Sequence, residues 1–168
     1  MRSYQERISL LSYYLASCHC KRVKYAILVE EPMEAKFCHC TDCHKLFGSP
    51  AQWTAMLQKT DVHFLSGVDN LAFYHLADSS HERKLPCKIA CRTCRSPVMD
   101  EGRKILVIYP SLIDFDELPG GLTPAEGKKK FFPTCHIFYE QRVDDYVDGK
   151  PKYKGHKEEG DTIPEHEG

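Results

Sequence analysis

Cys38-His39-Cys40-Thr41-Asp42-Cys43 sets three thiols within six residues, and the rest of the chain reads outward from it. Upstream stands Cys18-His19-Cys20 and downstream Cys91-Arg92-Thr93-Cys94, so seven of the nine cysteines fall in close-set groups. Tetrahedral zinc holds sulfur at about 2.3 Å, which brings two ligating sulfurs to within roughly 4 Å of each other. A C-x-x-C pair reaches that separation through a tight turn. A C-x-C pair needs converging side chains or a bend, because residues i and i+2 of a flat strand have Cα atoms about 6.7 Å apart. Such near neighbours cannot pair as disulfides without strain, and an odd count is not that of a secreted disulfide scaffold. Reduced thiolates on metal, in a reducing, cytoplasmic compartment, are the expectation.

Two sites are expected, one closed and one open. Pairing Cys18 and Cys20 with Cys91 and Cys94 fills a four-thiolate zinc and ties the first strand to a late knuckle. The loop so closed is long, but closure entropy grows only logarithmically and metal binding offsets it. Cys38, Cys40 and Cys43 then remain as a three-thiolate set, and three protein ligands plus an exchangeable position is the plan of a catalytic zinc. Spacing alone leaves open the alternative of Cys18 and Cys20 with Cys40 and Cys43. It equally allows the trio to be a second structural site completed by His39, His44, Cys87 or Cys135. Lone Cys87 and Cys135 otherwise read as small buried hydrophobes, and His136 as a hydrogen-bonded histidine at a strand start.

The chain has 168 residues, 23 basic against 24 acidic, with 42% hydrophobic and 28% charged residues. That is a single-domain length and a soluble globular composition. Mixed charge gives no footprint of nucleic-acid or membrane-surface binding. Residues Ile8 to Ser17, ending in Leu15-Ala16-Ser17-Cys18, imitate a lipoprotein leader. The run is short, is diluted by Ser9, Ser12, Tyr13 and Tyr14, and follows Glu6, so export is not expected. No stretch reaches the roughly 18 apolar residues of a membrane span.

The pattern along the chain is mainly β. Strands are expected at Leu11–Ala16 and Val23–Val29 around the first C-x-C, then Ala35–Phe37 leading to Cys38. Asp42 can cap a turn of helix through Phe47, stopped by Gly48-Ser49-Pro50. Gln52–Leu57, Val62–Leu65, Leu71–Leu76 and Lys84–Ala90 follow as strands, then a hairpin of Val98–Asp100 with Ile105–Tyr109, and a last strand at Cys135–Tyr139. Thr123 to Lys130 reads as a charged loop, its Lys128-Lys129-Lys130 run as solvated. From about Asp144 the composition turns to Asp, Gly, Lys, Glu and Pro, a tail draped on the surface or disordered. Residues 1–11 form an N-terminal extension, 12–143 the zinc-binding β domain and 144–168 the polar tail.

With its C-x-C, C-H-C-x-x-C and C-x-x-C followed by Ser96-Pro97, and with Gly48-Ser49-Pro50 and Leu65-Ser66-Gly67, the chain resembles the glutathione-dependent formaldehyde-activating family, which includes centromere protein V. Leu85-Pro86-Cys87-Lys88, Met99-Asp100-Glu101-Gly102-Arg103 and Pro133-Thr134-Cys135-His136-Ile137-Phe138-Tyr139 resemble a fungal branch of it. The resemblance implies a β-tent fold of packed antiparallel sheets stapled by zinc. It implies a structural zinc on Cys18, Cys20, Cys91 and Cys94, a more weakly held one on Cys38, Cys40 and Cys43, and carbon–sulfur chemistry on glutathione and formaldehyde. Lys21 and Arg95 stand where the family favours glycine.

An enzyme of the carbon–sulfur lyase type is therefore expected, acting on a small thiol such as glutathione or a thiol adduct. Cys38, Cys40 and Cys43 would hold the open zinc, with His39, His44 and His136 the candidates for proton transfer. The alternatives are a tailoring enzyme working on a non-glutathione metabolite with the same metal, and a non-catalytic zinc-stapled interaction module.

Overall fold

Alternating burial explains why the strands lie where they do. In Cys87–Cys91 the side chains of Cys87, Ile89 and Cys91 are buried while Lys88 and Ala90 are only partly so, the period of two that a pleated strand imposes. A computed structural model describes residues 3–165. Met1 and Arg2 of the N-terminal extension and residues 166–168 of the tail lie outside the described residues.

Three strands make a small antiparallel sheet: β1 (Tyr14–Ser17), β2 (Lys24–Ile27) and, across the chain, β5 (Val62–Ser66), in the order β1-β2-β5. The larger sheet holds β3 (Glu34–Cys38), β4 (Gln52–Gln58), β6 (Leu71–Tyr74), β7 (Cys87–Cys91), β8 (Pro97–Glu101), β9 (Ile105–Ile108) and β10 (His136–Ile137). Its order is β10-β3-β4-β9-β8-β7-β6. Pairing is antiparallel as expected, except that β10 runs parallel to β3, with His136 opposite Phe37 and Ile137 opposite Cys38. The core gathers side chains from both sheets, among them Tyr14, Tyr25 and Ile27 from the small one and Leu57, Ile89, Val98 and Ile108 from the large one.

The described residues also hold three short α-helices: α1 (Tyr4–Leu11), α2 (Thr41–Phe47) and α3 (Pro124–Lys130). Thr123–Lys130, expected as a loop, is α3. Thr123 and Glu126 form a reciprocal capping box, and Pro124 sits in the first turn, where its missing N–H costs nothing. The same box, Ser3 with Glu6, starts α1 in the N-terminal extension. The expected helical turn after the central cysteines is α2, but its cap is Cys40 rather than Asp42, with Gly48 closing it in the left-handed conformation.

The polar tail is held on the domain. Tyr153 donates its N–H to His136 O and His136 to Pro151 O, each at 2.9 Å, and Ile163 donates to Lys152 O. Lys152 is buried, its ammonium on Asp148 and Glu165. Backbone pairing to β10 thus supplies the order that the tail's composition lacks. No helix among the described residues is long and apolar enough to cross a membrane.

Candidate metal centres

The pairing that spacing left open is resolved by the fold. Cys18 follows β1, Cys91 ends β7, and the turns after them bring Cys18, Cys20, Cys91 and Cys94 together with all four sulfurs within 4.8 Å of one another. Cys18 Sγ lies 3.6 Å from Cys20 Sγ, and Cys20 Sγ lies 3.7 Å from Cys91 Sγ. A zinc–sulfur bond of about 2.3 Å gives a tetrahedron with edges of about 3.8 Å, so the donor set fits zinc. The surrounding N–H groups fit it too. Val23 N–H points to Cys18 Sγ at 3.4 Å and the Asn70 side-chain amide to Cys91 Sγ at 3.1 Å, donors of the kind that stabilise and orient ligating thiolates.

Two residues in these turns have left-handed backbones, Lys21 at φ 59° and Arg95 at φ 63°. These are the two positions where a glycine would be easier to place.

Cys38, at the end of β3, Cys40, capping α2, and Cys43, in its first turn, form the second group, again with sulfurs within 4.8 Å. Cys43 N–H points to Cys40 Sγ at 3.4 Å. The nearness of Cys38 and then Cys43 holds the Cys40 sulfur far below the ordinary thiol range, and the nearness of Cys38 and then Cys40 pushes Cys43 up. Three sulfurs this close cannot all be anionic without a cation among them, and that is the condition zinc satisfies. No His, Cys, Asp or Glu among the described residues joins as a fourth ligand. Cys87 is buried in the main core and Cys135 beside the trio in a second apolar cluster with Ile137.

The candidate histidines separate. His39 and His136 are brought together, both wholly buried, with His39 Nε2 2.8 Å from His136 Nδ1. His136 Nε2 in turn lies 3.0 Å from Asp148 Oδ2. Tyr139 and Tyr146 pack edge-on or tilted against both rings. Burial first, then the neighbouring His136, lowers His39 to about 4. His44 stays apart on α2, half-buried, its Nε2 3.1 Å from Pro50 O. A carbonyl only accepts, so His44 carries its proton on Nε2 and leaves Nδ1 as a lone pair.

Residues not foreseen stand beside the trio. Lys88 and Asp100 are cross-strand partners on β7 and β8, joined through Nζ and Oδ2 at 2.5 Å, and Tyr109 donates its hydroxyl to the other carboxylate oxygen. Burial raises Asp100 above the usual carboxylate range, with Lys88 and Tyr109 opposing it. Lys88 is held up against its own burial by Asp100 and, further off, by Cys43 and Cys40. Its Nζ lies 5.8 Å over the Phe47 ring, which meets Tyr109 edge-on at 5.0 Å. The available signal was a lysine and an aspartate in the middle of apolar strands; their partnership depends on register, which no local pattern gives.

The sequence pattern of the family described as glutathione-dependent formaldehyde-activating enzyme matches residues 13–141. Among solved structures, a Rhodobacter sphaeroides protein is similar, with a TM-score of 0.47 and 19% sequence identity. The similarity covers 67% of this chain and 93% of that one. No curated protein sequence matches the chain.

Proposed function

The chain belongs to the glutathione-dependent formaldehyde-activating family, and from that premise we propose that it is a zinc-dependent carbon–sulfur lyase-like enzyme working on a small thiol or its aldehyde adduct. The observation that carries this reading is the sulfur trio of Cys38, Cys40 and Cys43, gathered within 4.8 Å and short of a fourth protein ligand among the described residues. Cys18, Cys20, Cys91 and Cys94 would hold a second, closed zinc that staples β1 to β7. Zinc bound by the trio supplies thiol activation and Lewis acidity, the chemistry of an open site.

In the forward direction the substrate sulfur attacks the aldehyde carbon, the carbonyl π pair moves to oxygen, and the proton lost by the thiol ends on that oxygen. Thiol and aldehyde therefore account for every atom of the adduct, and the reverse reaction returns both.

The chain's own residues divide the remaining work. Lys88 places a positive charge near Cys40 and Cys43 and offsets the negative charge gathered on the sulfurs. Two of the candidate histidines keep a ring nitrogen without a partner, but that of His39, its Nδ1, is sealed in the interior, whereas the contact of His44 to Pro50 leaves its Nδ1 open to carry the proton. His39 and His136 are engaged with each other and with Asp148, so we assign them to holding the Cys38–Cys40 segment in place.

Zinc content tests the reading. Two zincs per chain are expected, one lost to mild chelation together with binding of glutathione or its adduct. One tight zinc that chelation leaves in place would overturn it in favour of a stapled interaction module.

A further inference from the structure

A cavity of about 250 Å³ opens between the end of α2 and the edge formed by β6 and β7. Its walls are apolar and aromatic, chiefly Phe47, Phe73 and Tyr74. The charges at its lining are Lys88 and Arg95, with His81 nearby and no carboxylate. These cations are not equivalent. Lys88 is already ion-paired with Asp100. Arg95 is exposed, and its guanidinium has no hydrogen-bond or ion-pair partner among the described residues.

Arg95 also occupies a costly place. Its φ of 63° lies in the left-handed region, where a residue with a Cβ is disfavoured by about 1 kcal/mol or more and glycine is not. The turn itself is fixed by Arg95 N–H on Cys91 O and Cys91 N–H on Ser96 O, each 2.9 Å. A side chain is therefore kept at a position whose backbone favours none, and that side chain lines an apolar cavity as its unpaired cation.

We propose that this cavity binds a carboxylate-bearing apolar or aromatic group, with the carboxylate on Arg95 and the body of the ligand between Phe47, Phe73 and Tyr74. A planar guanidinium matches a carboxylate in two parallel hydrogen bonds, and aromatic walls favour a body less polar than a peptide. The wall residue Phe47 belongs to the helix that carries Cys43, so the cavity adjoins the three-sulfur centre. Resting on the reading of that centre as a thiol site, this defines the substrate class as a small apolar or aromatic thiol with one carboxylate, or its aldehyde adduct.

The pocket can be tested without the chemistry. Calorimetric binding of 3-phenylpropanoate and of the uncharged 3-phenylpropanamide is measured on the zinc-loaded full chain and on Arg95→Gly. That substitution suits the left-handed backbone and is expected to fold. The acid should bind the native chain about tenfold more tightly than the amide, the effect of a charge-assisted hydrogen-bond pair. Arg95→Gly should remove that preference while leaving amide binding unchanged, and Arg95→Lys should restore part of it. Equal affinity for acid and amide, an undiminished preference in Arg95→Gly, or no binding of either probe would overturn the proposal. Neither probe has a thiol, so a failure here is separate from a failure of the zinc reading, which metal content decides.

Discussion

His39 Nε2 and His136 Nδ1 meet at 2.8 Å in a wholly buried contact between residues 97 positions apart. Asp148, from the polar tail, sets the direction of the chain of bonds. Its carboxylate, held below the usual range by Lys150, His136 and Lys152 in spite of burial, accepts from His136 Nε2. His136 Nδ1 is then the acceptor and His39 Nε2 the donor, an order fixed by proton accounting. The tail thereby determines how the residue between Cys38 and Cys40 is held.

Replacing Asp148 by alanine leaves a buried imidazole N–H without an acceptor and should cost about 1–3 kcal/mol. Because the folded carboxyl titrates below its ordinary value of 3.8, its contribution is complete above that pH and is lost as the pH falls through the lower folded value. The gap between the native chain and Asp148→Ala should therefore persist from pH 8 to pH 5 and close in stronger acid. Urea unfolding at stepped pH measures it, and a gap that closes near pH 6.5 would place the effect on a histidine instead.

The two cysteine groups should respond differently to loss of one ligand. Cys91→Ser breaks the four-sulfur staple between β1 and β7, and since binding energy at a structural zinc is folding energy, the variant should lose cooperative thermal unfolding. Cys43→Ser should keep a cooperative melt and lose only the weaker zinc. Circular dichroism with metal analysis on the same samples distinguishes them; equal destabilisation would mean that both sites are structural.

Local signals carried most of the architecture. The C-x-C, C-H-C-x-x-C and C-x-x-C spacings report convergence over a few residues, and period-two burial marks strands such as Cys87–Cys91. What escaped is non-local or was overruled by its context. Lys88 opposite Asp100 is a matter of register, His39 against His136 of topology, and the tail's order of pairing with β10. The helix at Pro124–Lys130 is a different miss. Its capping box stood in the sequence as Thr123 with Glu126, but a triple lysine and little apolar periodicity favoured a loop.

Gly67, in the Leu65-Ser66-Gly67 signature, is required by two observations together. Its φ is 80°, and a Cβ there would lie 2.3 Å from Arg22 O, a backbone atom with no freedom to withdraw. Gly67→Ala should cost about 2–4 kcal/mol, combining left-handed strain with displacement of the turn after Cys20. Chemical denaturation reads the loss. A change under 1 kcal/mol would show that the β2–β5 connection yields more easily than its geometry indicates.

Lys88 and Asp100 should prove strongly coupled. Both side chains are about one-fifth to one-quarter exposed, so Lys88→Met strands a largely enclosed carboxylate that keeps, among the described residues, the Tyr109 hydroxyl as its side-chain partner. Removing one member of such a pair costs more than removing both, here about 2 kcal/mol after allowing for the remaining exposure. Lys88→Met/Asp100→Asn removes the stranded charge while the asparagine oxygen still accepts from Tyr109, so the double variant should recover most of that loss. The cycle of native, two single and double variants, measured by urea unfolding, isolates the coupling. Additive losses would mean that Lys88 answers mainly to the sulfurs of Cys40 and Cys43. In that case Lys88→Met should weaken the second zinc more than it weakens the fold, a result that metal titration of the same variant would show.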